Sequence, residues 1–148
     1  MPVVVDTSAA FKWARVEEFR MEALAPRDNT LRAGDALLAP HLIIHEATNV
    51  LTKWVVDGIA GPGVVPLALR NIFGAVTLRP FDQILAERAV EMGVIAGKRR
   101  FGFDAQFLAL AEREGCDFWT GDRDFSDALR LAFPFVRWIG AYTALPSP

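Results

Sequence analysis

Short apolar segments alternate with longer segments of helical pattern along the chain, and this alternation constrains the fold more than any other feature. Runs rich in β-branched and aromatic residues predict strands. Strands that alternate with helices favour a mostly parallel sheet covered on both faces. We therefore expect an α/β fold with a sheet of four to five strands, at residues 2–5, 36–39, 75–79, 117–120 and 135–139.

The predicted helices are bounded by capping residues, glycines and prolines. The first covers roughly 8–24, with a break near Arg15, and the stretch Pro26–Thr30 reads as a turn or mobile loop. Pro40 is expected to open a helix that continues to about Val56. Gly115 is a plausible C-cap. The remaining predicted helices lie at 64–73, 81–96, 103–114 and 123–131.

Length and composition indicate a single domain over residues 1–148. Hydrophobic residues make up 52% and charged residues 23% of the chain, which is enough apolar material for one core. No apolar run reaches the roughly 18 residues of a membrane span. The start, MPVVVDTS, lacks a basic n-region, so we expect no signal peptide. The single cysteine, Cys116, fits a reducing cytoplasm and is expected to be a small core residue.

Four acidic residues stand where such a fold brings side chains together. Asp6 directly follows the first strand, and Asp122 follows the fourth. Glu46 lies in the second turn of a predicted helix, and Asp104 lies in the first turn of another. Because sites in open parallel sheets form beyond the carboxyl ends of the strands, we expect all four carboxylates at one edge of the sheet.

Crowded carboxylates of this kind suit hard divalent cations. Mg²⁺ or Mn²⁺ prefers oxygen ligands, and two ions about 4 Å apart activate water and stabilise the leaving oxygen of a phosphodiester. A net charge of −2 argues mildly against a nucleic-acid binder. A carboxylate cluster that binds cations accounts for part of that negative charge, so a nuclease is not excluded.

Each acid also has a structural interpretation. Asp6 is a common helix-cap residue, Asp104 complements a helix dipole, and Asp122 fits a turn. Glu46 fits a solvated helix position less well, since it sits in the apolar stretch HLIIHEATNVL beside Asn49. The joint placement of the four at one sheet edge favours a site.

The motifs that carry these acids resemble those of PIN-domain proteins, and most of all the VapC-type toxins of bacterial toxin–antitoxin pairs. The resemblance covers nearly the whole chain, with one departure, Phe103, where a Tyr is frequent. Its motifs are VVVDTS at 3–8, EATNVL at 46–51, FDA at 103–105 with LALA at 108–111, and TGDRDF at 120–125.

The resemblance implies a three-layer α/β/α sandwich and a Mg²⁺- or Mn²⁺-dependent endoribonuclease that forms a homodimer and is silenced by an antitoxin. Asp6, Glu46, Asp104 and Asp122 fall on the family's acidic, metal-binding positions. Four polar neighbours would support those carboxylates or a metal-bound water: Ser8, Asn49, Thr120 and the more variable Asp124. Two alternatives are an RNA-processing or structure-specific nuclease without an antitoxin, and a non-catalytic PIN-fold scaffold or binding domain.

Other candidate residues carry weaker signals. Lys98, Arg99 and Arg100 lie just upstream of Asp104 and are possible RNA contacts, with a solvated loop as the alternative. Weaker candidates of the same kind are Lys12, Arg15 and Arg123. His41 and His45 have a zinc-binding spacing but lack the glutamate of that motif, so partly buried histidines are expected. The four tryptophans (Trp13, Trp54, Trp119 and Trp138) are expected to belong to the core rather than to stack on bases.

Overall fold

In the part of the chain that the computed structural model describes, residues 1–14 and 20–142, five strands alternate with seven helices. The strands are β1 (Val3–Val5), β2 (Leu37–Pro40), β3 (Val76–Arg79), β4 (Asp117–Thr120) and β5 (Val136–Trp138). The helices are α1 (Thr7–Ala14), α2 (Arg20–Arg32), α3 (Leu42–Val56), α4 (Val65–Ala75), α5 (Gln83–Ala96), α6 (Asp104–Glu114) and α7 (Arg123–Leu129). Short 3₁₀ helices lie at Pro62–Val64, Arg99–Phe101 and Ile139–Ala141.

The strands form one parallel sheet in the order β3-β2-β1-β4-β5. Val4 of β1 lies opposite Leu38 of β2 on one side and Phe118 of β4 on the other. The chain adds β2 and β3 to one side of β1 and then crosses to add β4 and β5 to the other. The order therefore reverses between β1 and β4, and a crevice forms there, beyond their carboxyl ends.

Helices cover both faces of this sheet, as the sequence predicted. All four residues of β2 are buried, although successive side chains point to opposite faces. Helix α1 packs against α2, α3 and α4, while α5 packs against α6 and α7. The two groups make the outer layers of an α/β/α sandwich. Its core is rich in fully buried aromatic and aliphatic residues, the largest being Phe101, Phe107, Phe118 and Phe125.

The prediction for residues 26–30 was wrong. Pro26–Thr30 is not a turn, because helix α2 runs through it from Arg20 to Arg32. Pro26 and Thr30 are four apart and both are buried, so burial of this helical face offsets the hydrogen bond that a proline removes. The predicted helix over 8–24 corresponds to α1 and the start of α2, and its expected break near Arg15 lies outside the described residues.

Most other boundaries agree within two residues. Pro40 does not open a helix; it is the last residue of β2, and α3 begins at Leu42. Gly115 ends α6 in the left-handed conformation, with φ of 63°, as expected of a glycine C-cap. Among the described residues, no helix combines the length and the apolar character needed to cross a bilayer.

Candidate functional site

Asp6 is buried at the carboxyl end of β1, where its side chain is the acceptor of several hydrogen bonds. Only 2% of Asp6 is exposed. Its Oδ1 accepts from the Ser8 hydroxyl at 2.7 Å and from the Ala9 backbone N–H at 2.8 Å, and its Oδ2 accepts from the Thr120 hydroxyl. Burial raises the pKa of Asp6, and these hydrogen bonds oppose the rise. The carboxylate both caps α1 and is held in a fixed orientation.

Thr120 and Gly121 join β4 to the same network. Thr120 is fully buried, and its hydroxyl accepts from the Asp122 backbone N–H at 3.0 Å while donating to Asp6. The Gly121 N–H donates to the Ser8 hydroxyl at 2.9 Å. A Cβ on Gly121 would lie 3.0 Å from the Ser8 backbone carbon and oxygen, closer than side chains normally approach. Glycine is therefore required where the ends of β1 and β4 meet.

Asp122 stands at the N-terminus of α7, partly buried. Its Oδ1 accepts from the Phe125 backbone N–H at 3.0 Å, which makes it the N-cap of that helix. Asp122 is thus a helix N-cap rather than the turn residue suggested by the sequence, and the cap is compatible with a second role, because a carboxylate has two oxygens and the cap uses one.

Glu46 reaches the site from α3. Its Oε1 accepts from the Thr7 hydroxyl at 2.8 Å. Burial raises the pKa of Glu46, the Thr7 hydrogen bond opposes this, and the charge of Asp6 raises it further. Asn49, one turn later on α3, is exposed and lies on the wall of the same cleft. This cleft has a volume of about 430 Å³ and is lined by Thr7, Ser8, Phe11, Lys12, Glu46, Asn49, Val50, Trp54, Asp104 and Gly121.

Asp104 shows that the four acids share one electrostatic environment. It is the first residue of α6 and partly buried. Burial is the largest cause that raises its pKa, to about 7, and the charges of Asp6, Glu46 and Asp122 add to the rise, while Arg100 opposes it. The structure therefore brings together the four carboxylates that the sequence singled out, from four separated segments.

The chemistry of this donor set fits a divalent cation, although the side chains do not form a finished coordination shell. Within the described ranges, no three Asp, Glu, His or Cys side chains are grouped closely enough to hold a metal ion. Asp6, Glu46 and Asp122 are turned toward hydroxyl and N–H donors of the protein. Four carboxylates around one crevice are nevertheless the hard oxygen ligands that Mg²⁺ and Mn²⁺ take.

The predicted polar neighbours Ser8, Thr120 and Asp124 differ in what they contact. Ser8 and Thr120 contact Asp6 as expected of residues that orient a carboxylate. Asp124 instead pairs with Arg100 at 2.7 Å, with both side chains exposed. This pair lowers the pKa of Asp124. Asp124 therefore positions a predicted RNA-contact residue rather than a carboxylate of the cluster.

The predicted cations lie on an exposed ridge beside the site. Lys98, Arg99 and Arg100 are exposed, the last two in a 3₁₀ helix. The Lys98 ammonium and the Arg100 guanidinium lie 5.6 and 4.7 Å from the ring centroid of Phe101. Lys12 lines the acidic cleft itself. Arg15 and the side chain of Trp13 lie outside the described part.

The predictions for the histidines, the cysteine and one tryptophan have different outcomes. His41 and His45 are exposed, so the expectation of partly buried histidines was wrong. His41 is the N-cap of α3 and His45 lies in its first turn, and both face solvent. Cys116 is buried, and burial raises the pKa of its thiol to about 11, which suits a core residue. Trp54 lines the acidic cleft and meets Phe11 edge-on at 5.0 Å.

Two residues that shape the site were not singled out from the sequence. Thr7 holds Glu46, and Gly121 permits the close approach of β4 to Ser8. Both are adjacent in sequence to predicted site residues, and this adjacency is the signal that could have identified them.

Comparisons with known proteins agree with this architecture. The fold matches that of PAE2754 from Pyrobaculum aerophilum (TM-score 0.67, 21% identity, 95% of this chain and 93% of that one). It also matches VapC20 of Mycobacterium tuberculosis, described as a sarcin-ricin loop cleaving toxin (TM-score 0.58, 19% identity, 86% and 95% covered). A third match is FitAcB from Neisseria gonorrhoeae (TM-score 0.52, 18% identity, 85% and 91% covered).

These matches are matches of fold, since all three identities are low. A search of curated proteins gave no significant match. The sequence model of the PIN domain, however, matches residues 3–131, from β1 to just beyond α7, and includes every residue of the acidic site. The resemblance noted in the motifs is thereby confirmed, and the chain belongs to the PIN-domain family.

Proposed function

We propose that this chain is a divalent-metal-dependent endoribonuclease in which Asp6, Glu46, Asp104 and Asp122 hold Mg²⁺ or Mn²⁺. The observation that carries the proposal is the placement of four carboxylates from four separated segments around one crevice, where their like charges add to burial in raising the pKa of Asp104 to about 7. A fold that needed only stability would gain nothing from this repulsion, whereas a bound cation would reverse it.

Within this proposal the cation supplies activation of water and stabilisation of the leaving oxygen of a phosphodiester. The protein's part is positioning. Ser8 and Thr120 fix Asp6 at the strand ends, and Thr7 fixes Glu46. Asp104 stands at the start of α6, where the helix dipole favours its charged form. The Lys12 ammonium on the cleft wall suits a substrate phosphate.

Purified chain is expected to cut single-stranded RNA with Mg²⁺ or Mn²⁺ and to stop when EDTA is added. Asp6→Ala and Asp104→Asn should each abolish cleavage while circular dichroism shows that the fold survives. Asp57→Asn is the matched control, because Asp57 is exposed at the end of α3 and outside the acidic cleft. If Asp104→Asn cleaves RNA as fast as Asp57→Asn does, the proposed site is wrong.

We further propose that the nuclease is the toxin of a cytoplasmic toxin–antitoxin pair and forms a homodimer of single-domain chains. The motifs and the shared fold with VapC20, itself described as a toxin, support this. A short open reading frame directly upstream should encode a protein that binds the chain and blocks cleavage, and light scattering should give twice the chain mass. Without such a partner, an RNA-processing nuclease becomes the better interpretation.

A further inference from the structure

A second cleft, between α7 and β5, concentrates positive charge in a chain whose net charge is −2. Its volume is about 620 Å³. Three arginines line it, Arg123, Arg130 and Arg137, together with one acid, Asp127. The local balance is thus opposite in sign to that of the whole protein. We call this region the arginine cleft.

The ion pairs of these arginines are long and exposed. Arg123 and Arg130 lie 3.6 and 3.7 Å from the same Asp127 carboxylate, and Arg137 lies 3.5 Å from Asp117. The arginine side chains are between 46% and 69% exposed. Exposed pairs at such distances contribute little to stability. The guanidinium groups can therefore exchange these carboxylates for phosphate oxygens at small cost, although Arg137 also donates a hydrogen bond to the Pro134 carbonyl.

An aromatic surface accompanies the charge. The Arg123 guanidinium lies 5.0 Å from the centroid of the Trp138 ring. Trp138 itself lies so close over Gly140 that a Cβ there would be 2.2 Å from the ring. Glycine at position 140 thus lets the indole lie against the backbone, and Trp119 also lines the cleft. Arginine next to an aromatic ring is the combination that binds single-stranded nucleic acid.

Helix α7 links the cleft to the acidic site, because Asp122 is the N-cap of this helix. Arg123 directly follows Asp122, and Arg130 lies two turns further along the chain. Arg137 comes from β5, the edge strand next to β4. An RNA strand bound at the carboxylates would meet Arg123 at the start of α7, and Arg130 lies about 10 Å further along that helix.

We propose that the arginine cleft binds the phosphates of a single-stranded RNA on one side of the bond that is cut. This inference rests on the proposed ribonuclease function and adds the path of its substrate. It differs from the ridge at residues 98–100, which lies on the connection between α5 and α6.

Binding of a fluorescein-labelled single-stranded RNA to the full chain in EDTA tests the proposal without any cleavage. The affinity is measured against salt concentration for the parent and for Arg130→Gln/Arg137→Gln. Each phosphate contact contributes about 0.7 to the slope of log K against log salt, so the double variant should lose about 1.4 of that slope and bind more weakly. Arg130→Lys/Arg137→Lys keeps both charges and should retain most of the slope.

The matched control is Lys53→Gln/Arg70→Gln, which removes two exposed positive charges from α3 and α4. Helix α4 leads into β3, the edge strand on the opposite side of the sheet from β5. It should bind RNA as the parent does. If both double variants lose the same RNA affinity, the effect comes from net charge alone and the proposal is overturned. An unchanged salt slope in the arginine-cleft variant would overturn it as well. Binding of polyglutamate with the same dependence on the two arginines would assign the cleft to an acidic protein instead.

The outcomes also separate this inference from the proposed function. If cleavage depends on Asp6 and Asp104 but the arginine-cleft variant keeps the RNA affinity and KM of the parent, only the proposed RNA path is wrong. If the chain binds RNA through the arginine cleft but never cleaves it, only the proposed nuclease function is wrong.

Discussion

The two halves of the acidic site are built in different ways. In the strand-end half, made of Asp6, Ser8, Thr120 and Gly121, burial raises the pKa of Asp6 and hydrogen bonds from all three neighbours and from Ala9 oppose the rise. In the helix half, made of Glu46 and Asp104, burial acts together with like charges, and three carboxylates raise the pKa of Asp104. Hydrogen bonds thus offset part of the effect of burial at Asp6, whereas at Asp104 the like charges add to burial and only the charge of Arg100 opposes the rise.

Gly121→Ala is expected to have the largest effect on stability, because the new methyl group meets the Ser8 hydroxyl and also the Ser8 backbone, which cannot move aside as a flexible side chain can. The free energy of unfolding should fall by about 3 kcal/mol in urea titrations. Gly63→Ala is the control, since a Cβ at Gly63 meets open space. Similar unfolding midpoints for the two variants would show that the strand ends are not tightly joined.

Thr120→Val should come next. It removes the hydroxyl that serves both Asp6 and the Asp122 N–H and leaves both groups without this partner in a buried place. The cost should be about 2 kcal/mol. Thr48→Val provides the comparison, since the Thr48 hydroxyl is exposed and only bonds a carbonyl of its own helix. An equal cost for both would contradict the special rigidity of the strand-end half.

Asp104→Asn should act in the opposite direction and stabilise the metal-free protein at pH 8. The pKa of Asp104 is raised from 3.8 to about 7 on folding, so between these values the folded state holds more protons than the unfolded state. The stability contributed by the protonated form is therefore present at pH 4 and is lost as the pH rises toward 7. Allowing for partial exposure, the gain in the variant should be about 1–2 kcal/mol at pH 8.

Urea titrations from pH 4 to 8 in EDTA measure this effect. The decline with pH should be smaller in Asp104→Asn than in the parent, and Asp57→Asn should follow the parent. A decline of the same size in all three would mean that the repulsion at Asp104 is negligible.

Asp124→Asn should have the smallest effect. The Arg100–Asp124 pair lies outside both halves and is exposed on both sides, so its loss should leave the free energy of unfolding almost unchanged. A much larger loss in thermal unfolding would place Asp124 in the structural framework of the site.

The sequence predicted the parts of the site that depend on local order. Asp6 and Asp122 follow strands, and the parallel topology carries them to one edge, so their approach could be inferred before any coordinates were known. The continuation of α2 through Pro26 could not be predicted, because it depends on which face of the helix is buried against the rest of the protein.

Contacts between separated segments also escaped prediction. The bond between Thr7 and Glu46 spans 39 positions, and the pair of Arg100 with Asp124 spans 24. No local pattern encodes the distance between two side chains on different elements. The same holds for the arginine cleft, whose members come from α7, β5 and the turn between them.

The most direct test of the account is an anomalous difference map from crystals of the protein soaked in MnCl₂. It should show manganese contacting carboxylate oxygens of Asp6, Asp104 and Asp122, with Glu46 as a direct or water-bridged ligand, and no manganese there in Asp104→Asn crystals. Manganese bound elsewhere, with these four side chains keeping their present hydrogen bonds, would contradict the assignment of the site.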